Sequence, residues 1–130
     1  MHSLFQRADD LSHEVIGSAI EVHRLKGAGL LESIYEKCLR RELELCKIET
    51  VVQRTISIDY KGQVFEEILR FDLLVEGCLL VELKSVETPL PVHEAQLLTY
   101  LKLTDKRLGL LLNFNVHHMK DGIKRIANNL

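Results

Sequence analysis

The feature that most limits how this chain can fold is the stretch CLLVELKSV, Cys78 to Val86. Leu79, Leu80, Val81 and Leu83 mark it as a buried strand, yet Glu82 and Lys84 stand inside it two residues apart. Side chains alternate between the faces of a strand, so both charges point to the same side. Burying a carboxylate and an ammonium is costly unless each is compensated. The rest of the chain must bring that compensation to this strand.

The hydrophobic period sorts the 130 residues into elements. A first helix is expected over DDLSHEVIGSAIEVHRLKG, with Leu11, Val15, Ile16, Ala19, Ile20 and His23 on one stripe and Asp9, Asp10 or Ser12 as its cap. After the break at 27–29, a second helix follows in LLESIYEKCLRRELELC, with Leu31, Ile34, Tyr35, Cys38 and Leu39 at helical spacing. From Val51 the period becomes that of a strand, half exposed through Val52, Ile56, Ile58 and Tyr60. Lys61-Gly62 is a turn, VFEEILRFDLLV a second strand with a bulge near Glu66-Glu67, Glu76-Gly77 the next turn, and CLLVELKSV the third strand. VHEAQLLTYLKLT reads as a helix with Val92, Ala95, Leu98 and Leu101 apolar, and RLGLLLNFN as a central strand. The tail from His117 is read as a last short strand around Gly122–Ala127, with a helix as the alternative. The order is α-α-β-β-β-α-β with a small β addition: an α/β fold with a mixed sheet. Its first three strands form an antiparallel meander. The crossover helix makes the third and fourth strands parallel, and helices cover the faces.

Apolar alignment fixes the hairpin register. Pairing Val75 with Leu79 and Leu73 with Val81 aligns the core residues of both strands, and a slip of one residue would break that alignment. The same register sets Asp72 opposite Glu82, with Lys84 next along. Two carboxylates this close repel unless a cation lies between them. Lys84 is one candidate. A divalent metal is the other, and hard oxygen ligands suit Mg²⁺ or Mn²⁺. The plainest alternative is a solvent-facing Glu and Lys at i, i+2, but Leu74 and Leu80 share that face.

Asp72 followed by Glu82-Leu83-Lys84, on a hairpin that leads into a helix and a strand, resembles the PD-(D/E)XK nuclease superfamily, whose core is αβββαβ. More narrowly the chain is similar to the GxxExxY family. Gly29, Glu32 and Tyr35 stand in GLLESIY, with VELKSV, PVHEAQLLTYL and LGLLLNFN in matching order from about Asp9 onward. The resemblance implies metal-dependent phosphodiester cleavage. It assigns Asp72, Glu82, the Leu83 carbonyl and Glu32 to metal binding, with Mg²⁺ the expected ion and Mn²⁺ an alternative. Lys84 would position the attacking water and stabilise charge on phosphoryl oxygens. Gln96 and Tyr100 form QxxxY, as in the RecB-like branch, on one helical face, where they would support the site and contact substrate. The proline of "PD" is absent, since Phe71 precedes Asp72.

Bulk properties agree with a single globular domain over 1–130: hydrophobic residues are 46% and charged residues 28%. No apolar run is long enough to cross a bilayer, and MHSLFQRADDLSHEV lacks the pattern of a secretory signal. Cys38, Cys46 and Cys78 form no CxxC pair, which argues for a reducing cytoplasm and against a zinc-thiolate site. Net charge is −2, so a grip on nucleic acid needs a local basic groove, for which Arg24, Lys26, Lys37, Arg40, Arg41, Arg54 and Arg70 are available. His23 is expected as a hydrogen-bonded core residue, His93 as a surface or capping residue, and His117-His118 as loop residues. The leading expectation is a Mg²⁺-dependent nuclease acting on nucleic acid, with DNA favoured over RNA by superfamily frequency. The rival is a non-catalytic nucleic-acid- or protein-binding module on the same fold. A homodimer or a partner protein is compatible with the sequence, which decides neither.

Overall fold

The computed structural model describes residues 4–128. Helix α1 spans Leu4–Lys26 and α2 Glu32–Leu45. Strands β1 (Thr50–Tyr60), β2 (Gln63–Val75) and β3 (Leu79–Lys84) follow, then α3 (Pro91–Thr104), β4 (Leu108–Asn113), a 3₁₀ turn (Met119–Gly122) and β5 (Ile123–Ala127). The sheet order is β1-β2-β3-β4-β5. Among the described residues β3 and β4 alone run parallel, because α3 carries the chain back across the sheet. The expected meander, crossover and final strand are all present. No helix among the described residues is long and apolar enough to cross a membrane.

Two apolar cores lie on opposite faces of the sheet. Tyr35, Leu39 and Leu43 of α2 and Val15 and Ala19 of α1 pack on Leu73, Val75, Leu79, Val81 and Leu83. Leu97 and Leu101 of α3 pack on Phe71, Leu74, Leu80 and Leu111 of the other face. With both faces covered, every residue of β4 is buried, as is β3 from Leu79 to Leu83.

Helix registers differ from the sequence expectation. α1 starts at Leu4, so Asp9, Asp10 and Ser12 lie within it. Its buried stripe is Ala8, Ser12, Val15, Ala19 and Val22, small residues that bring the helix close to its neighbours, while Ile20 stays 44% exposed. Buried Ser12 is tolerated because its hydroxyl donates to the Asp9 carbonyl (2.6 Å) and accepts from Arg125 of β5. In α3 the inward residues are Leu97 and Leu101, and Val92 is 62% exposed. Gly109 of β4 sets that rotation: a Cβ there would come within 3.0 Å of the Leu97 side chain, so the glycine is the hollow into which Leu97 fits.

The hairpin register is the expected one, with Leu73 opposite Val81 and Val75 opposite Leu79. The bulge lies elsewhere than expected. Pairing is regular at Glu66 and Glu67. It shifts between Val51↔Leu74 and Gln53↔Arg70, so that Val52 alone faces Phe71, Asp72 and Leu73. A bulge leaves residues outside the ladder and re-aims their side chains. Here the re-aimed residue is Asp72.

Gly122 closes the 3₁₀ turn against the end of β4. A Cβ at Gly122 would lie 2.0 Å from the Asn113 carbonyl oxygen, whereas one at Gly17 of α1 meets nothing within 4 Å. Gly122→Ala should therefore cost about 1–3 kcal/mol by overpacking, while Gly17→Ala should stabilise by roughly 0.5–1 kcal/mol. Urea unfolding of both variants checks this, and equal midpoints would refute the tight approach.

Candidate active site

Asp72 and Glu82 meet where the β2–β3 ladder ends. The Leu83 amide donates to Asp72 Oδ2 at 2.7 Å, taking a carboxylate in place of a backbone carbonyl of β2. In return the Asp72 amide points at Glu82 Oε1, 3.5 Å away. The bulge thus parts the two strands and side-chain oxygens fill the gap. N–H and C=O of a strand residue point to the same edge, so the Leu83 carbonyl faces this opening as well.

Burial and the Asp72 charge together raise the Glu82 carboxyl from its ordinary 4.5 to about 8, and the Lys84 ammonium offsets only part of this. Lys84 is half-buried and follows Glu82 by two residues on the same face. Without a further cation Glu82 is therefore mostly protonated at neutral pH. A helix-borne carboxyl joins them: Glu36 of α2, half-buried, is raised first by burial and then by Asp72. Sequence reasoning selected Glu32 for this role and missed Glu36. The signal available was the i, i+4 spacing of the two glutamates, which puts both on one side of α2. Glu32 lies one turn earlier and is exposed. It lines a cavity of about 510 Å³ with Gly29, Ser33, Ser85 and Asn115.

Backbone clamps hold the segment that bears Lys84. Phe114 N–H donates to the Lys84 carbonyl (2.9 Å), and the Ser85 hydroxyl donates to the Leu30 carbonyl (2.6 Å). Asn113, 2% exposed, is the register partner of Lys84. Its Oδ1 accepts from Val86 N–H (3.2 Å) and its Nδ2 donates to the Val86 carbonyl (2.9 Å). Tyr35 anchors the loop before α2. Its hydroxyl donates to the Gly27 carbonyl (2.6 Å) and accepts from Leu30 N–H (3.1 Å), while its ring stacks on Phe114 at 4.4 Å. Gly29 and Tyr35 thus act as a turn and its clasp, with Gly29 at φ +90°.

On the α3 face of the sheet, which Glu82 and Lys84 share with Leu80, exposed Gln96 donates to the Tyr100 hydroxyl (3.3 Å), and Tyr100 packs against the core containing Phe71 and Leu80. The pair shares one face of α3, as its spacing requires. His23 bonds the Val116 carbonyl (2.7 Å) as expected but is half-buried at a cavity rather than in the core, and His93 Nδ1 accepts from Leu90 N–H at the start of α3, the expected capping place.

Among the described residues no three His, Cys, Asp or Glu side chains form a ready-made metal cage. Mg²⁺ does not require one, since it commonly uses one or two carboxylates and completes its shell with water and substrate oxygens. Two crowded carboxylates, one held largely protonated for want of a cation, with a carbonyl at the same opening, fit such an ion.

The family model of the PD-(D/E)XK nuclease superfamily matches residues 9–126, and the chain belongs to that superfamily. The crystal structure of SSO0001 is similar in fold, with a TM-score of 0.59 and 24% identity, over 76% of this chain and 51% of that one. This chain thus spans about half the length of that protein. A search of curated proteins returns no match.

Two predictions rest on this geometry. Because the Glu82 pKa is raised, its contribution to stability is fully present below pH 4.5 and is lost as pH rises through about 8. In metal-free protein, Glu82→Gln should match wild type near pH 4.5 and exceed it by on the order of a few kcal/mol at pH 8–9. A gap that does not grow with pH in denaturant titrations would contradict the raised pKa. Asn113→Ala should cost about 1–3 kcal/mol by orphaning the Val86 backbone groups. It should also abolish the hydrogen-exchange protection of the Val86 amide; retained protection would show that the clamp is not what holds it.

Proposed function

We propose that this chain is a divalent-metal-dependent nuclease that hydrolyses phosphodiester bonds, with DNA as its substrate, and that it belongs to the GxxExxY branch. The carrying observation is the bulge that crowds Asp72 against Glu82 and leaves the buried Glu82 short of a cation. Superfamily membership supplies the reaction class. Asp72, Glu82 and the Leu83 carbonyl are the residues that would hold Mg²⁺ or Mn²⁺, with Glu36 or Glu32 of α2 as a further carboxylate. The bound ion would acidify a water and offset negative charge on the phosphoryl group.

Lys84 then has two roles open to its three donors: orienting the water for in-line attack and hydrogen-bonding a non-bridging oxygen as charge develops there. Its clamped backbone limits how far the ammonium can wander, which matters because catalysis by positioning tolerates little misplacement. Gln96 and Tyr100 stand on the α3 side of the hairpin as substrate contacts. The free thiols of Cys38, Cys46 and Cys78 favour the cytoplasm.

Cleavage of single- and double-stranded DNA and RNA with Mg²⁺ or Mn²⁺ tests the reading. Asp72→Asn, Glu82→Gln and Lys84→Ala should each lower kcat by roughly 10²-fold or more, the scale of losing a transition-state donor. Rates that survive Glu82→Gln and Lys84→Ala would remove the site. Mn²⁺ binding that Asp72→Asn abolishes, without cleavage by the wild type, would instead indicate a binding module on a nuclease fold.

A further inference from the structure

A nuclease of net charge −2 needs a local basic grip on its substrate. We propose that the cavity between the C-terminal end of α1 and this loop is a phosphate subsite that holds the substrate strand beside the reacting centre, with His117, His118 and Lys120 as its donors. The inference rests on the nuclease reading and adds a binding site to it. The cavity measures about 300 Å³. His23, Arg24, His117, His118 and Lys120 line it, and no carboxylate does. Glu21 engages Arg24 at 2.7 Å from outside the lining, which leaves the two loop histidines and Lys120 as the free donors. Neutral imidazole keeps one N–H to give, and Lys has three, so this set can bind phosphate oxygens.

The loop is built in place before any ligand arrives. His23 bonds the Val116 carbonyl at 2.7 Å, and Met119 is 4% exposed in the core. Gly122 lies against the Asn113 carbonyl too closely for any side chain. His117 and His118 stand edge to face with centroids 4.5 Å apart. Held donors lose little freedom on binding.

Position links the cavity to the reaction. Asn113 pairs with Lys84, Asn115 lines the cavity shared with Ser85 and Glu32, and His117 opens the next one. Two residues of chain span at most about 7 Å, so the subsite adjoins the crevice beyond Lys84. A strand lying from Lys84 over Asn115 would set its next phosphates at His117 and His118. An internal phosphodiester and a terminal phosphate present the same oxygens to this set.

Fluorescence anisotropy with a labelled single-stranded oligonucleotide tests the subsite without cleavage, in chelator and in the Glu82→Gln background. Replacing His117, His118 and Lys120 by Ala, all three exposed, should weaken binding roughly tenfold near 0.1 M salt and lower the slope of log Kd against log salt by about 0.7, the share of the one lysine charge on a single strand. Lys102→Ala, across the sheet on α3, should change neither. Equal losses with 5′-hydroxyl and 5′-phosphorylated strands would assign the site to internal phosphates, and a loss confined to the phosphorylated strand to the terminal one. A triple variant within twofold of its parent, or a Lys102→Ala loss as large, would overturn the subsite while wild-type cleavage left the nuclease reading standing. If the parent binds no oligonucleotide and wild type cleaves none, the nuclease reading fails and the subsite with it.

Discussion

The hydrogen bond from the Leu83 amide to the Asp72 carboxylate is the interaction on which the site depends. It replaces a rung of the β2–β3 ladder with a side chain, and it does so at the bulge where Val52 faces three residues of β2. Without the bulge, β2 would continue against β3 and Asp72 would have no reason to enter the plane of the sheet. With it, the strands part at Glu82, and an opening flanked by two carboxylates and a backbone carbonyl forms at the edge of a packed core. The same core buries Glu82 and makes its charge expensive.

That expense is characteristic of a functional site. Apolar residues at 72 and 82 would suit a folded sheet better than two repelling carboxylates, one of them pushed to about 8. The surrounding structure spends its hydrogen bonds on holding this arrangement. Asn113 imitates a strand partner for Val86, Ser85 ties β3 to the loop before α2, and Tyr35 fastens that loop while stacking on Phe114. Loop, helix and strand are thereby joined around Lys84, so the α2 glutamates and the β3 lysine hold a constant relation. Such networks rigidify when every member is satisfied, and no buried side-chain N or O among the described residues lacks a partner.

Much of this was readable from residue pattern. Alternation in CLLVELKSV and the apolar match of Leu73 with Val81 gave the hairpin register, because sliding a strand by one residue moves its whole apolar set to the wrong face. Turns at Lys61-Gly62 and Glu76-Gly77 were legible from residue type, and both pairs adopt positive φ. Helix rotation was less legible. Leu97, Leu98 and Leu101 offer several stripes of similar apolarity, and only the hollow at Gly109 selects Leu97. Glu36 escaped notice for a related reason: one helix face carries both glutamates, and only docking on the sheet brings the second near Asp72.

The sequence by itself determined the order of elements, the parallel crossover and the convergence of Asp72, Glu82 and Lys84, since each follows from local period and register. Tertiary structure decided where the bulge falls, which glutamate of α2 comes under the influence of Asp72, and how the loop after β4 lines a basic cavity. These depend on packing between segments far apart in the chain: Val52 against Phe71–Leu73, Gly122 against Asn113, His23 against Val116. Local propensity carries no record of such encounters, because their energy exists only once both partners are in place.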